Sequence, residues 1–489
     1  MAFAGRVVLF TIPGCKFCRQ AKTLLGDYHV PYFDVDLSKY PERRYEMKER
    51  TGRSSVPQIF FNNRHIGGWD DIKALHDEDK LVLLIEETAE EEPPPDAPLP
   101  PPEIDSPPEE DGEVVLLPSQ RDSAGGKRDC TPDELAALCK EIQDSSLVKT
   151  HTYHLISYKN SFVGRELVEW LMHRKSMRRE EALSLGKDLM KRHFIHHVTY
   201  EHDFEDEYLF YRMLDDVKTR SLNAALSSHC LPRKAVDIAD DLRKLILEIY
   251  DEHLSPDGFA VDYKGISTSP KFEEYVRATA ELKRADIVNL WRQEKLALFI
   301  NVYNALVIHA FVVQGPPTST FRRLMFFNKT SYVIGGQEFS LNDIESGILR
   351  ANRRPVATFK RPFSRHDPRL PIALDEVEPR IHFALVCGAK SCPPIKTYTA
   401  ANIDEELKFS TEAFLESDNV MVDLTRREVT LSMILKWYKV DFGSNNQQVL
   451  EWIYAHMPDS EKRRSLKSLI DSGNYRMKYF KYNWDVNSS

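Results

Sequence analysis

The spacing of apolar residues changes period several times along this 489-residue chain. Val7-Val8-Leu9-Phe10 is an unbroken run, which predicts a strand buried on both faces. Pro13-Gly14 ends it, and 19–25 reads as a helix. A second strand is predicted over 31–34 and a helix over 41–50, with proline at its start. Gln58–Phe61 and 64–66 flank Asn62-Asn63, a hairpin turn, and 69–87 predicts one closing helix. The order β-α-β-α-β-β-α predicts an α/β domain over 1–87.

The pattern then lapses. Prolines 93, 94, 95, 98, 100, 101, 102, 107 and 108 alternate with acids, so 88–128 predicts an extended linker that buries no core. Periodicity returns at Thr131, the expected cap of a helix from Pro132 with Leu135, Leu138, Cys139 and Ile142 on one face. Short strand patterns and two further helices over 164–171 and 180–189 complete a second domain, 129–216. Over 217–489 the pattern is mainly helical, predicting an α+β domain. Residues 296–313 run eighteen positions without a charge, a length that reaches the membrane-spanning threshold. Asn301, Asn304 and His309 interrupt the run and Arg292, Glu294 and Lys295 precede it. The expectation is therefore a buried helix with no transmembrane segment. A hairpin is expected around Gly335-Gly336, and a buried strand over 380–387, ending at Cys387.

Charge changes the picture in one place. The formal net charge is −9, but 86–113 holds twelve acids and no base, leaving the rest at +3. No chain-wide field for nucleic acid is implied. The seven cysteines, at 15, 18, 130, 139, 230, 387 and 392, form no secreted disulfide framework. With no basic-then-apolar leader at the start, a reducing, cytoplasmic setting is expected.

The candidate chemistry lies at Cys15-Lys16-Phe17-Cys18. Cys15 is placed where a strand hands over to a helix, whose free N–H groups and partial positive charge favour a thiolate. Lys16 adds a second positive group, and Cys18, one turn on, can resolve a mixed disulfide. No second CxxC or HxxxH pair follows nearby, so zinc lacks ligands and no metal is expected. With Ser55-Val56-Pro57 and Gly67-Gly68-Trp69-Asp70 also present, residues 5–85 resemble a glutaredoxin, which implies a thioredoxin-like fold for this α/β domain. The resemblance implies dithiol–disulfide oxidoreduction with Cys15 attacking and Cys18 resolving. It makes Pro57 a cis-proline facing the dithiol and Val56 a backbone partner of glutathione. Gly67, Gly68 and Asp70 would hold the tripeptide's far end, and Lys16 joins this binding set. Many glutaredoxins have lysine three residues before the first cysteine, where this chain has Ile12. The electron donor, glutathione or thioredoxin reductase, stays open.

Phe162-Val163-Gly164-Arg165-Glu166-Leu167-Val168-Glu169-Trp170-Leu171 resembles the signature of a DEP domain, over 130–215. That implies intracellular signalling through protein partners or an anionic membrane surface, and no catalytic residue. Arg174, Lys175, Arg178 and Arg179 form a short basic cluster that could meet headgroups. Residues 296–304 and 380–394 together resemble an uncharacterised family, domain of unknown function five-four-seven, with its core over 285–415. Three chemistries fit His382, Cys387 and Cys392. They are an open zinc site, a Cys392 nucleophile with His382 or His309 as base and Asn301 or Asn304 as orienter, and plain structure. Strand alternation would put His382 and Cys387 on opposite faces, against a shared metal. The functions in competition are a glutathione-linked oxidoreductase reducing protein disulfides, a redox-sensing signalling adaptor, and a cysteine-dependent hydrolase or transferase.

Overall fold

The computed structural model describes residues 3–101, 131–154, 156–216, 219–255, 260–356, 358–386, 388 and 398–482. The first domain runs β1 (Val7–Thr11), α1 (Lys16–Asp27), β2 (Phe33–Asp36), α2 (Arg43–Thr51), β3 (Gln58–Phe61), β4 (Arg64–Gly67), α3 (Trp69–Asp77) and α4 (Leu81–Glu90). The sheet order is β2-β1-β3-β4, with β1 parallel to β2 and antiparallel to β3. Val7 and Leu9 enter one apolar cluster while Val8 and Phe10 enter another across the sheet, which is why β1 reads as an unbroken run. The second cluster contains Cys15 and Cys18.

Two expectations are corrected here. The closing helix is two helices, broken where Asp79 takes a left-handed φ of 57° and the Lys80 N–H turns back to Leu75 O. The linker also begins later than 88. The second helix extends to Glu90, and the chain after it lies on the domain, with Ala97 buried and Arg50 and Arg6 donating to Asp96 O and Pro98 O.

The second domain comprises α5 (Leu135–Gln143), β5 (Lys149–Tyr153), β6 (Ile156–Val163), α6 (Gly164–Lys175), α7 (Arg179–Lys191), β7 (Ile195–His197) and β8 (Phe210–Met213). Its core holds Phe162, Leu167, Val168, Leu171 and Tyr211. The β5–β6 hairpin projects an arm with Tyr153 and Ile156 exposed. Helix α5 starts later than expected because Asp133, not Thr131, accepts the Leu135 N–H.

The third domain opens with α8 (Ala235–Glu252), α9 (Tyr263–Ser267), α10 (Pro270–Ala278), α11 (Arg292–Gln314), α12 (Thr320–Lys329), β9 (Ser331–Ile334) and β10 (Gln337–Ser340). A π-helix spans Asp343–Leu349. There follow α13 (Ile403–Glu416), β11 (Val420–Asp423), β12 (Glu428–Leu431), α14 (Met433–Trp437), α15 (Lys439–Phe442), α16 (Asn446–His456), α17 (Glu461–Ser472) and β13 (Arg476–Tyr479). Helix α11 is the uncharged run. It is apolar all round and buried from Leu296 to Phe311 at the centre of the largest core.

The second and third domains are joined by buried polar contacts. Arg284 donates to the buried Asp133 and to Cys230 O, and the Lys283 ammonium lies 2.5 Å from Asp215. Within the third domain, the Asn223 side chain ties the segment before α8 to the rest by donating to Thr279 O and Val333 O.

Candidate active site

Cys15 is the N-cap of α1. Its extended backbone (φ −87°, ψ 110°) aims Sγ back over the helix start, where it accepts the Cys18 N–H at 3.2 Å. This is the anion-favouring position of a helix terminus. Gly14, at φ +69°, makes the preceding turn in a backbone region where a side chain would be strained. Cys18 is buried, and burial first, then the neighbouring Cys15, pushes its thiol well above the ordinary range. The two thiols thus sit in different environments three residues apart. Burial lowers the Lys16 ammonium, against the opposing pull of Cys15.

Among the residues named from sequence, Val56 reaches this centre. Val56 O lies 3.9 Å from Cys15 Sγ, and the Val56–Pro57 bond is cis. Gly67 and Gly68 lead into α3, and Asp70 is exposed in its first turn. The Gly68 N–H donates to Asp71 Oδ2 at 2.7 Å, and Arg53 donates to the same oxygen. Burial works to raise the Asp71 carboxyl, but the Gly68 and Arg53 hydrogen bonds hold it below its usual range. Arg53 and Asp71 went unnamed from sequence, although an acid three residues after Gly68 has the spacing of a capping box.

One side of this centre is covered by the third domain. The Gly14 N–H donates to Asp251 Oδ1 at 3.1 Å, and Arg19 binds Asp251 at 3.2 Å. The Tyr250 ring lies against Gly14. From α2, Lys48 pairs with the buried Glu412 at 2.6 Å, and Ser54 donates to the same carboxylate at 2.6 Å. Tyr45 meets the edge of Phe409, and the buried Arg44 faces Glu406 and Tyr398. Cys15 is 3 % exposed and Cys18 2 %. By contrast Phe17 and Asp70 are exposed, and Val56 and Gly68 are half-buried.

The third domain's own candidates fall differently. Cys387 and Cys392 lie outside the described residues. The strand expected over 380–387 is instead a 3-10 turn, Pro379–Phe383, tightened by Glu378, which accepts the Arg380 N–H. Asn304 does what a neighbouring strand would do. Its amide donates to Ala384 O and its oxygen accepts the Val386 N–H. Asn301 donates to Tyr398 O at 2.6 Å. Both asparagines hold backbone rather than orient a base. His309 sits in the core 2.6 Å from Tyr332 Oη, ringed by Phe272 and Tyr275.

His382 does have an orienter, in Asp441. Nε2 donates to Asp441 Oδ2 at 2.8 Å, and Arg350 and Arg353 bind the same carboxylate. Burial favours raising the Asp441 carboxyl, but His382 and Arg350 hold it well below the carboxylate range. Burial keeps His382 lowered and neutral in spite of Asp441. The imidazole stacks on Tyr438 and lines a cavity of about 410 Å³ with Tyr303, Phe327, Glu345 and Trp437. Asp441 was missed because a lone acid between Val440 and Phe442 carries no local signature.

The basic cluster of the second domain is paired. Arg174 and Lys175 meet Glu141, Arg178 meets Glu181, and Arg179 meets Asp206.

Three family models match the chain in order. They are Glutaredoxin over residues 7–66, the domain found in Dishevelled, Egl-10, and Pleckstrin (DEP) over 146–213, and Protein of unknown function, DUF547, over 287–415. Glutaredoxin 1 of Rickettsia prowazekii (strain Madrid E) is 37% identical over 81 residues, which is 16% of this chain and 85% of that protein. Glutaredoxin 3 of Escherichia coli (strain K12) is 41% identical over 71 residues, 14% of this chain and 86% of that protein. Among solved structures, glutaredoxin from Brucella melitensis is 44% identical and aligns over 17% of this chain and 90% of its own, at a TM-score of 0.16.

Proposed function

Because the chain belongs to the glutaredoxin family through its first domain, with a DEP domain and a DUF547 domain behind it, we infer that it is a glutathione-linked thiol–disulfide oxidoreductase carried on a signalling platform. The observation that carries the reading is the asymmetry of the dithiol. Cys15 accepts an N–H at a helix start, while Cys18 is buried and kept protonated.

The chemistry follows from that asymmetry. The Cys15 thiolate attacks the sulfur of a glutathione mixed disulfide. A Cys15–sulfur bond forms, the substrate's S–S bond breaks, and the leaving half departs as a thiol after taking a proton. A glutathione thiolate then attacks the new disulfide, releasing oxidised glutathione and restoring Cys15. Alternatively Cys18 gives up its proton and closes the Cys15–Cys18 disulfide, releasing glutathione. Either way two thiol electrons reduce one disulfide. Val56 O lies beside the Cys15 sulfur, and the likeness to glutaredoxins assigns Pro57, Gly68 and Asp70 with it to an extended tripeptide. Protein disulfides are the companion substrate class, in a reducing cytoplasm. The DEP domain is assigned docking to protein or membrane surfaces. With its four basic side chains already paired, a protein partner suits it better than lipid headgroups.

The test is turnover of a small glutathione mixed disulfide by the full chain with glutathione, glutathione reductase and NADPH. Turnover lost in Cys15→Ser and partly kept in Cys18→Ser supports the reading. No turnover by the unmodified chain overturns it.

A further inference from the structure

The covered side of the dithiol bears on which disulfides can reach it. We propose that the third domain is a size filter docked on the redox centre. It admits tripeptide-sized thiols and disulfides along the Val56–Gly68–Asp70 side and excludes folded protein disulfides until the two domains separate. This rests on the oxidoreductase reading and adds a substrate class and a regulatory element to it.

Three observations converge. First, contacts from the third domain reach the reactive turn itself. Asp251 takes the Gly14 N–H and binds Arg19, and Tyr250 packs on Gly14, one residue before the attacking cysteine. A protein substrate must lay its own backbone beside the attacked disulfide, and on this side the end of α8 is already there.

Second, a separate set of contacts holds the covering domain in place. The Glu412 carboxylate is 6 % exposed and accepts from both Lys48 and Ser54. Breaking Lys48 away leaves that buried carboxylate with only a hydroxyl partner, so docking depends strongly on the pair. The buried Arg44 beside Glu406, and Lys48 over the Phe409 ring, extend the same face. The contact is therefore polar and charged at its centre, a composition that suits reversible docking better than permanent burial.

Third, coverage is one-sided. Cys15 is 3 % exposed, yet Phe17, two residues on, is 38 % exposed, and Val56, whose carbonyl lies beside the Cys15 sulfur, is half-buried, which leaves an approach away from the third domain. A narrow thiol fits that approach and a folded surface does not.

The test reads access rather than turnover. The reduced full chain is labelled with iodoacetamide and, separately, with a large polyethylene-glycol maleimide, and Cys15 modification is quantified by peptide mass mapping. Lys48→Glu places two carboxylates together and should open the interface. The charge-swapped pair Lys48→Glu with Glu412→Lys should close it again. The expected result is prompt iodoacetamide labelling in all three proteins. Labelling by the large reagent should rise about tenfold in Lys48→Glu, the equivalent of roughly 1.4 kcal/mol of docking, and return to the wild-type rate in the swapped pair. Asp251→Ala serves as a second variant if Glu412→Lys fails to fold, and it too should speed the large reagent. Large-reagent labelling of the wild type as fast as of Lys48→Glu and Asp251→Ala overturns the filter, as does equally slow labelling by both reagents. A chain that shows the filter but turns over no glutathione mixed disulfide overturns the oxidoreductase reading alone. One that reduces small and protein disulfides equally well overturns the filter alone.

Discussion

A single sulfur separates the two halves of the proposed chemistry. Cys15→Ser removes the thiol at the N-cap of α1, so glutathione-dependent turnover should fall to background. Cys18→Ser leaves the attacking thiol and should keep part of it, because glutathione can resolve the intermediate. A coupled assay on the two variants checks this, and full activity in Cys15→Ser would contradict it. A second residue-scale expectation concerns His309. Burial alone pushes its imidazole from an ordinary 6.5 down to about 3. Between those values the unfolded chain binds the extra proton, so this contribution is complete above about pH 6.5 and is lost as the pH falls toward 3. The size is on the order of 5 kcal/mol, from the conversion of one pKa unit to about 1.4 kcal/mol. Thermal midpoints measured from pH 7 to pH 4 should fall more steeply for the wild type than for His309→Gln, and parallel curves would refute the assignment. Cys15 and Cys18 were legible in sequence because strand, break, CxxC and helix form one local pattern, whereas the cis Pro57 was legible only through the likeness to glutaredoxins. The partner of His382 was not, since Asp441 lies 59 residues away and only the fold brings them within 2.8 Å.

Elements were legible where a helix or strand buries one defined face. Helix α6 was read from Leu167, Val168 and Leu171, all wholly buried in the second domain's core. Leu167→Ala should cost on the order of 2–5 kcal/mol, measurable as a lower denaturation midpoint. Elements failed where side chains replace a ladder. The apolar run 381–386 looked like a buried strand, but its hydrogen bonds go to Asn304 rather than to a neighbouring strand. A similar substitution anchors α5, whose start is set by Asp133, itself bound to Arg284 and Arg192. Although burial acts to raise it, Asp133 is held below the usual carboxylate range by Arg284 first among its partners. Removing one partner leaves a buried charge, so Arg284→Ala should destabilise the chain by roughly 3–5 kcal/mol. The double replacement Asp133→Leu with Arg284→Met should recover most of that loss. A double variant no better than the single one would mean the two residues act independently.

At the scale of the whole molecule, domain order could be read from the sequence and domain contact could not. The acidic, proline-rich stretch separates two periodic regions, so modules were visible as changes of pattern. Lys48 and Glu412 are 364 positions apart, and neither sits in a motif that names the other. An account of separate beads on a linker therefore missed that the third domain reaches the redox centre. The proposed function depends at this scale on one event, transfer of a glutathionyl group to Cys15. The direct measurement is mass mapping of the full-length Cys18→Ser chain after exposure to oxidised glutathione under non-reducing conditions. The account expects one glutathione per chain, on Cys15, released by added glutathione and absent when Cys15 is also replaced by serine. A chain that takes up no glutathione, or takes it up equally without Cys15, would contradict it.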